Sequence, residues 1–193
     1  MATIFSHAVF AMALGAGFTA APALAGKAPW KMPARFWALT ALCAMIPDAD
    51  VISFTFGVPY RHVLGHRGIS HSIAFALLTA LLVTLICFRE REAQCPRVAL
   101  AGFFFLATIS HSFLDAMTNG GPGPAVLAPL DNTRYFLPWR PIEVSPIGAD
   151  FFSARGLTVF ISELKWIWFP SLLLVFLSFA GRKLFRLNLD RQH

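Results

Sequence analysis

Residues 66–115 read HRGISHSIAFALLTALLVTLICFREREAQCPRVALAGFFFLATISHSFLD, and how this stretch divides decides the fold. Two apolar runs, 71–88 and 98–117, are each close to the ~20 residues that a membrane-crossing helix needs. Between them lies a basic, hydrophilic turn, 89–97, broken by Pro96. Helices joined in this way run in opposite directions, so the polar ends His66–His71 and His111–Asp115 return to one side. Ser70 is expected to cap the first helix, with His71 in its first turn. Imidazoles and carboxylates are costly beside hydrocarbon, so their placement calls for a reason.

The composition agrees with a bilayer setting. The chain has 193 residues, 56% of them hydrophobic and only 13% charged, with twenty Phe. Its mean hydropathy is +0.62. Soluble domains carry about a quarter charged residues. The expected fold is therefore all-α, a polytopic membrane bundle of about four to five apolar helices in a single domain over residues 1–193. The net charge of +6 does not indicate nucleic acid, because the basic residues cluster at the ends of apolar runs. Cys43 and Cys87 lie within apolar runs and read as packed thiols.

Outward from the hairpin, residues 4–26 form an apolar run interrupted only by His7. Ala23-Leu24-Ala25 resembles a signal-peptidase site, but no basic segment precedes the run, so a retained helix is expected. A basic, aromatic, Pro-broken turn follows at 27–35. Residues 34–47 read as a helix too short to span, and 51–68 as loop. The Pro- and Gly-rich segment 118–156 reads as a long ordered loop over a site. A last span is expected at 157–180, with a basic tail at 181–193.

Alternating helix directions gather the turns at 27–35 and 89–97 and the tail on one side. That side holds Lys27, Lys31, Arg35, Arg89, Arg91, Arg97, Arg182, Lys183, Arg186 and Arg191, ten of the sixteen basic residues. The positive-inside rule makes it the cytoplasm. His7, Asp48, Asp50, His62, His66, His71, His111 and Asp115 then share the opposite, non-cytoplasmic face.

Imidazole and carboxylate without thiolate suit zinc, manganese or iron as a catalytic rather than a structural centre. His111 and Asp115 stand four apart, one turn along one helix face. Asp48 and Asp50 follow Pro47 at a helix end, where a carboxylate can leave the helix and bridge ions or act as base. His62, in an unanchored loop, is the weakest candidate. Arg67, with Arg61, Arg134 and Arg140, would suit an anionic substrate. The leading expectation is a hydrolase that cleaves an ester, a phosphoester of a lipid or other amphiphile. The catalytic set is Asp48, Asp50 and Arg67; the metal set is His7, Asp48, His66, His71, His111 and Asp115. The alternative is a metal-binding or transport protein without hydrolysis, and a transport path would need polar residues through the full depth of the spans.

His7, Pro47-Asp48-Ala49-Asp50, His66-Arg67-Gly68-Ile69-Ser70-His71-Ser72 and His111-Ser112-Phe113-Leu114-Asp115 together resemble the YdjM-like family of bacterial inner-membrane, metal-dependent hydrolases. The resemblance covers residues 7 to about 120 and implies a membrane-embedded hydrolase with a divalent metal. The order of His, Asp, His and HxxxD is also similar to the zinc-dependent phospholipases C and P1-type nucleases, which are helical phosphoesterases. That likeness implies His7, Asp48, His66 or His71, His111 and Asp115 as ligands, with Asp115 or Asp48 bridging. Those enzymes carry further histidines after HxxxD and hold three zincs. Here the only later histidine is His193, on the basic side, so one or two ions are expected unless Glu143, Asp150 or Glu163 substitutes.

Overall fold

Apolar periodicity, not strand alternation, governs the chain, and the computed structural model, which describes residues 1–88, 95–146 and 151–190, is helical accordingly. The helices are α1 (Ile4–Leu24), α2 (Ala34–Met45), α3 (Ile73–Cys87), α4 (Arg97–Ala116), α5 (Ala154–Glu163) and α6 (Phe169–Asp190). A π-helical turn, Leu164–Trp168, fuses α5 and α6 into one rod, so five rods form the bundle. Among the described residues, four stretches are long and apolar enough to cross a membrane: Ile4–Leu24, Ala34–Phe56, Arg97–Ala116 and Ala154–Leu189.

The differences from the sequence reading lie at helix ends. α2 does not stop at residue 47. It tightens into a 3₁₀ helix, Ile46–Phe56, so Ala34–Phe56 is a continuous apolar rod of 23 residues. Pro47 sits where its missing N–H costs little, at the start of the 3₁₀ stretch. α3 is shorter than expected, 15 residues or roughly 22 Å. Its cap is Ser72, whose Oγ accepts from Phe75 N at 3.1 Å, and not Ser70. His71 lies before the cap in a single 3₁₀ turn, Ile69–His71. The last rod starts earlier and runs further than 157–180, and the tail is helical to Asp190. Arg89, Arg91, Asp150, Arg191 and His193 lie outside the described residues.

α4 is central, packed against α1, α2 and α3, while α6 packs on α1. α3 meets α4 through the small face Ala76, Ala80 and Thr84 and leaves Leu77, Leu78, Leu81, Leu82 and Leu85 exposed. In water such a leucine face would be a liability; in lipid it is the expected outer surface. The buried core centres on Phe36, Phe88, Leu100, Phe103 and Phe104, with Cys43, Ala44 and Ala107 leading from it toward the polar end. Helix direction places Lys27, Lys31, Arg35, Arg97, Arg182, Lys183 and Arg186 at the rod ends opposite the His/Asp cluster.

The Pro/Gly-rich loop folds over the cluster end. Asn119 N donates to Ile142 O at 2.9 Å, Leu137 N to Ala116 O at 2.9 Å, and Ala125 N to Arg67 O at 2.9 Å.

Candidate metal centre

Asp48, His71, His111 and Asp115 converge from α2's 3₁₀ extension, the turn before α3, and the last turns of α4. Each offers one ligand atom, and the four atoms lie within 4.8 Å of one another. His111 Nε2 is 3.3 Å from Asp48 Oδ1 and 3.9 Å from Asp115 Oδ2. His71 Nε2 is 3.8 Å from Asp48 Oδ1 and 3.6 Å from Asp115 Oδ2. His111, Asp115 and His71 are fully buried, and Asp48 keeps 4% of its surface with both carboxylate oxygens buried.

Both ligating imidazoles are held from behind. His111 Nδ1 donates to Ala44 O at 2.7 Å, which leaves Nε2 as the free lone pair. His71 Nδ1 lies 3.2 Å from Asp50 Oδ2, and its Nε2 faces the cluster. A histidine ligand normally gives its other N–H to a carbonyl or carboxylate, and the two rings here do both. The tautomers follow from these partners. Ser112 Oγ donates to His71 O at 2.7 Å and ties α4 to the turn that carries the ring.

Asp48 and Asp50 are two apart on a 3₁₀ helix, about 240° around its axis, so they address different groups. Asp50 accepts from His66 Nδ1 at 2.6 Å, from Arg67 N at 3.0 Å, and from Ser70 Oγ. Its oxygens are thus engaged by the chain, one of them behind His71 Nδ1. Asp50, His66 and His71 form a second group of metal-ligand type that shares His71 with the first. His7 is outside both groups. Its ring stacks on His111 at 3.6 Å between centroids, its Nε2 is 3.6 Å from Asp115 Oδ1, and both its nitrogens are buried without partners.

Arg67 is fully buried with φ +61°, a left-handed conformation that an Arg adopts only under tight constraint. Its Nε forms an ion pair with Asp115 Oδ2 at 2.8 Å, without hydrogen-bond alignment. Its NH1 donates to Pro122 O at 2.9 Å and its NH2 to Thr118 Oγ1 at 3.1 Å. Arg67 therefore fixes Asp115 and the loop, a different task from the expected substrate clamp. Gly68 follows because a Cβ there would stand 2.1 Å from Val63 O. Arg134 donates to the carbonyls of Tyr60, His62, His66 and Arg67, and Arg140 lies over Phe136. His62 is exposed, its Nδ1 accepting from Leu64 N, and stays apart from the cluster.

Sequence reading proposed Glu163 and Glu143 as stand-in ligands, and neither joins the cluster. Glu163 accepts from Thr3 N, from Thr3 Oγ1 at 2.6 Å and from Ser6 Oγ at 2.7 Å. A carboxylate at the start of α1 suits the positive end of that helix. Glu143 pairs with Arg155 at 2.7 Å. The contacts of Glu163, Thr118 and Arg134 carried no motif, and only their distance in sequence from their partners explains why spacing arguments missed them.

The polar atoms left over are informative. Asp48 Oδ1 and Oδ2, His71 Nε2, His111 Nε2 and Asp115 Oδ2 are buried without a hydrogen-bond partner. Each such atom costs about 1–3 kcal/mol when nothing satisfies it. These five belong to the four converging residues, and both nitrogens of the adjacent His7 are unpartnered as well; Ser53 Oγ, Arg67 Nε, Thr84 Oγ1 and Arg134 Nε complete the set among the described residues. Asp115 pairs with the Arg67 guanidinium, whereas Asp48 has no Lys or Arg ion pair among the described residues, a balance that suits a cation. The donor set fits a metal. Burial alone would lower the pKa of His71, but the Asp115 and Asp50 carboxylates outweigh it and raise the value to about 9.

The chain matches the family described as YdjM inner membrane protein over residues 1–186 and belongs to it. It is 39% identical over 176 residues to "Inner membrane protein YbcI" of Escherichia coli, covering 91% of this chain and 95% of that one. No solved structure matches. The protein is thus a multi-pass inner-membrane protein with a buried His/Asp cluster able to hold a metal.

Proposed function

We propose that this member of the YdjM inner membrane protein family is a metal-dependent hydrolase acting on a phosphoester of a lipid or other amphiphile from the non-cytoplasmic side. The observation that carries the reading is the convergence of Asp48, His71, His111 and Asp115 with their ligand atoms unpartnered. One or two divalent ions, zinc or manganese by donor type, are the proposed cofactor. Such an ion supplies Lewis acidity and lowers the pKa of a ligated water from about 16 to about 7.

The chain's own groups have separable roles. Asp48, with neither oxygen hydrogen-bonded, is the proposed ligand and proton acceptor. Asp50 and the Ala44 carbonyl orient His71 and His111. Arg67 offsets carboxylate charge and holds Asp115 in place. A second ion would be held by Asp50, His66 and His71, while His7, outside both groups, backs His111 by ring stacking. An apolar cavity of about 480 Å³ beside α4, lined by Phe10, Leu14, Leu106, Phe113 and Phe136, supports a substrate with a hydrocarbon portion. The phosphoester class rests on the likeness of ligand order to the zinc-dependent phospholipases C.

A second reading, metal binding without catalysis, is favoured by the near-complete burial of the cluster. Transport is not favoured, because Phe36, Phe88, Phe103 and Phe104 close the interior behind it. The test is elemental analysis of protein purified without chelator, then a screen of phosphate and carboxylate esters, lipids included. Less than about half an equivalent of transition metal sinks the metal site. Full metal with no ester turned over sinks the hydrolase and leaves the second reading standing.

A further inference from the structure

At the end of the bundle away from the His/Asp cluster, two cavities meet. One, of about 530 Å³, is lined by the cations Lys31, Arg182 and Arg186 and by the indoles of Trp30 and Trp37. The other, of about 480 Å³, is an apolar groove between α1 and α6, bordered by Met12, Ala13, Ala16, Leu172, Val175 and Phe179. Trp37 and Arg182 border both, so the two volumes adjoin at these side chains. Among the described residues, none of those lining either cavity carries a carboxylate.

The shape has local causes. Arg182 donates a guanidinium N–H to Thr19 Oγ1, which draws its charge inward across the α1–α6 seam. Trp30 N donates to Thr19 O at 2.9 Å, so the turn after α1 folds back and brings Lys31 to the same place. Small side chains at Ala13 and Ala16 leave the groove open. A Cβ on Gly15 would lie 2.9 Å from Trp37 Cζ3, so the indole rests directly on α1. Along α6 the groove runs from Ser171 to Arg182, roughly 16 Å at the helical rise. That is about half of the ~30 Å hydrocarbon thickness, the depth of one leaflet.

We propose that these cavities form one site for a single anionic phospholipid of the leaflet at the basic end. Its phosphate sits among Lys31, Arg182 and Arg186, and one acyl chain lies in the α1–α6 groove. Clustered cations with interfacial indoles are the chemistry that selects an anionic headgroup, and an apolar slot of one-leaflet depth selects a chain. The site is separate from the metal cluster and does not depend on the hydrolase reading. Its consequence is to clamp α6 to the C-terminal end of α1, the helix whose other end carries His7.

The test is lipid retention by the detergent-purified full chain, read by native mass spectrometry after exposure to phosphatidylglycerol and phosphatidylcholine of equal chain length. A preference for phosphatidylglycerol of tenfold or more is expected, on the order that several interfacial cations give. Lys31→Gln with Arg186→Gln, both at exposed positions, should remove most of it with unfolding temperature unchanged. Ala16→Leu, which fills the groove, should weaken retention of phosphatidylglycerol while bound metal stays constant. Equal retention of the two lipids, or an unchanged preference in the double variant, overturns the headgroup assignment. Unchanged retention in Ala16→Leu overturns the chain assignment. Displacement of the lipid by millimolar inorganic phosphate would identify a free-anion site and overturn the proposal.

Discussion

Asp115→Asn should separate the fold from the metal. In the native chain Asp115 accepts from Ala2 N at 3.0 Å and faces Arg67 Nε at 2.8 Å, both side chains fully buried. The amide can keep the Ala2 bond through Oδ1, but its NH₂ then points a donor at Arg67 and at His71 Nε2. Removing one partner of a buried ion pair leaves the other charge stranded, at a cost of about 3–5 kcal/mol. The variant should therefore unfold at markedly lower denaturant and carry less metal. Adding Arg67→Met removes the stranded guanidinium, so the double variant should recover about 2 kcal/mol or more while its metal stays low. The assay is denaturant unfolding in detergent, followed by tryptophan fluorescence, with elemental analysis of the same samples. A loss below about 1 kcal/mol for Asp115→Asn, or a double variant no more stable than the single, would refute the Arg67–Asp115 pairing.

Asp50→Asn should leave every ligand of the four-residue group in place yet lower metal affinity about 10–100-fold, because it loosens the ring of His71; chelator competition measures this, and an unchanged affinity removes Asp50 from the orienting role. With His71 raised to about 9 in the metal-free protein, metal must displace its proton. Metal affinity should accordingly rise with pH, up to tenfold per unit below about pH 9, with about one proton released near neutrality; calorimetry in buffers of different ionisation enthalpy counts it. The same shift gives the metal-free protein stability that is fully present below the ordinary pKa of about 6.5 and lost as pH rises through 9. Gly68→Ala should destabilise the turn by well over 1 kcal/mol, because the new Cβ meets Val63 O at 2.1 Å and backbone cannot step aside. A Gly68→Ala protein with normal metal content and unfolding would show that the turn is not needed to seat Arg67 and His71.

Hydropathy and charge alone determined a good part of this protein. Apolar runs of membrane length specify helices, because backbone groups in lipid must be satisfied within the segment. The basic turns at 27–35 and the basic residues of α6 fix which rod ends lie together, and thereby gather His7, Asp48, His71, His111 and Asp115 at the other end. The i, i+4 spacing of His111 and Asp115 already placed both on one face of α4. Helix ends were less legible, since Ser70 and Ser72 are equally good caps by type and only the 3₁₀ turn at Ile69–His71 decides between them.

The tertiary structure decided which of the polar groups converge and which lie behind them. Asp48 and Asp50 are indistinguishable in sequence, yet the 3₁₀ winding of Ile46–Phe56 turns one to the cluster and the other behind His71. Arg67 looked like a free cation and is instead spent on Asp115 and the loop carbonyls. Glu163 closes the start of α1 from a rod 160 residues away in sequence from Thr3. Local pattern determines which backbone geometry each segment adopts and which end of a rod is polar. The partner of a buried donor or acceptor is chosen by how distant rods pack, and no spacing rule along the chain contains that.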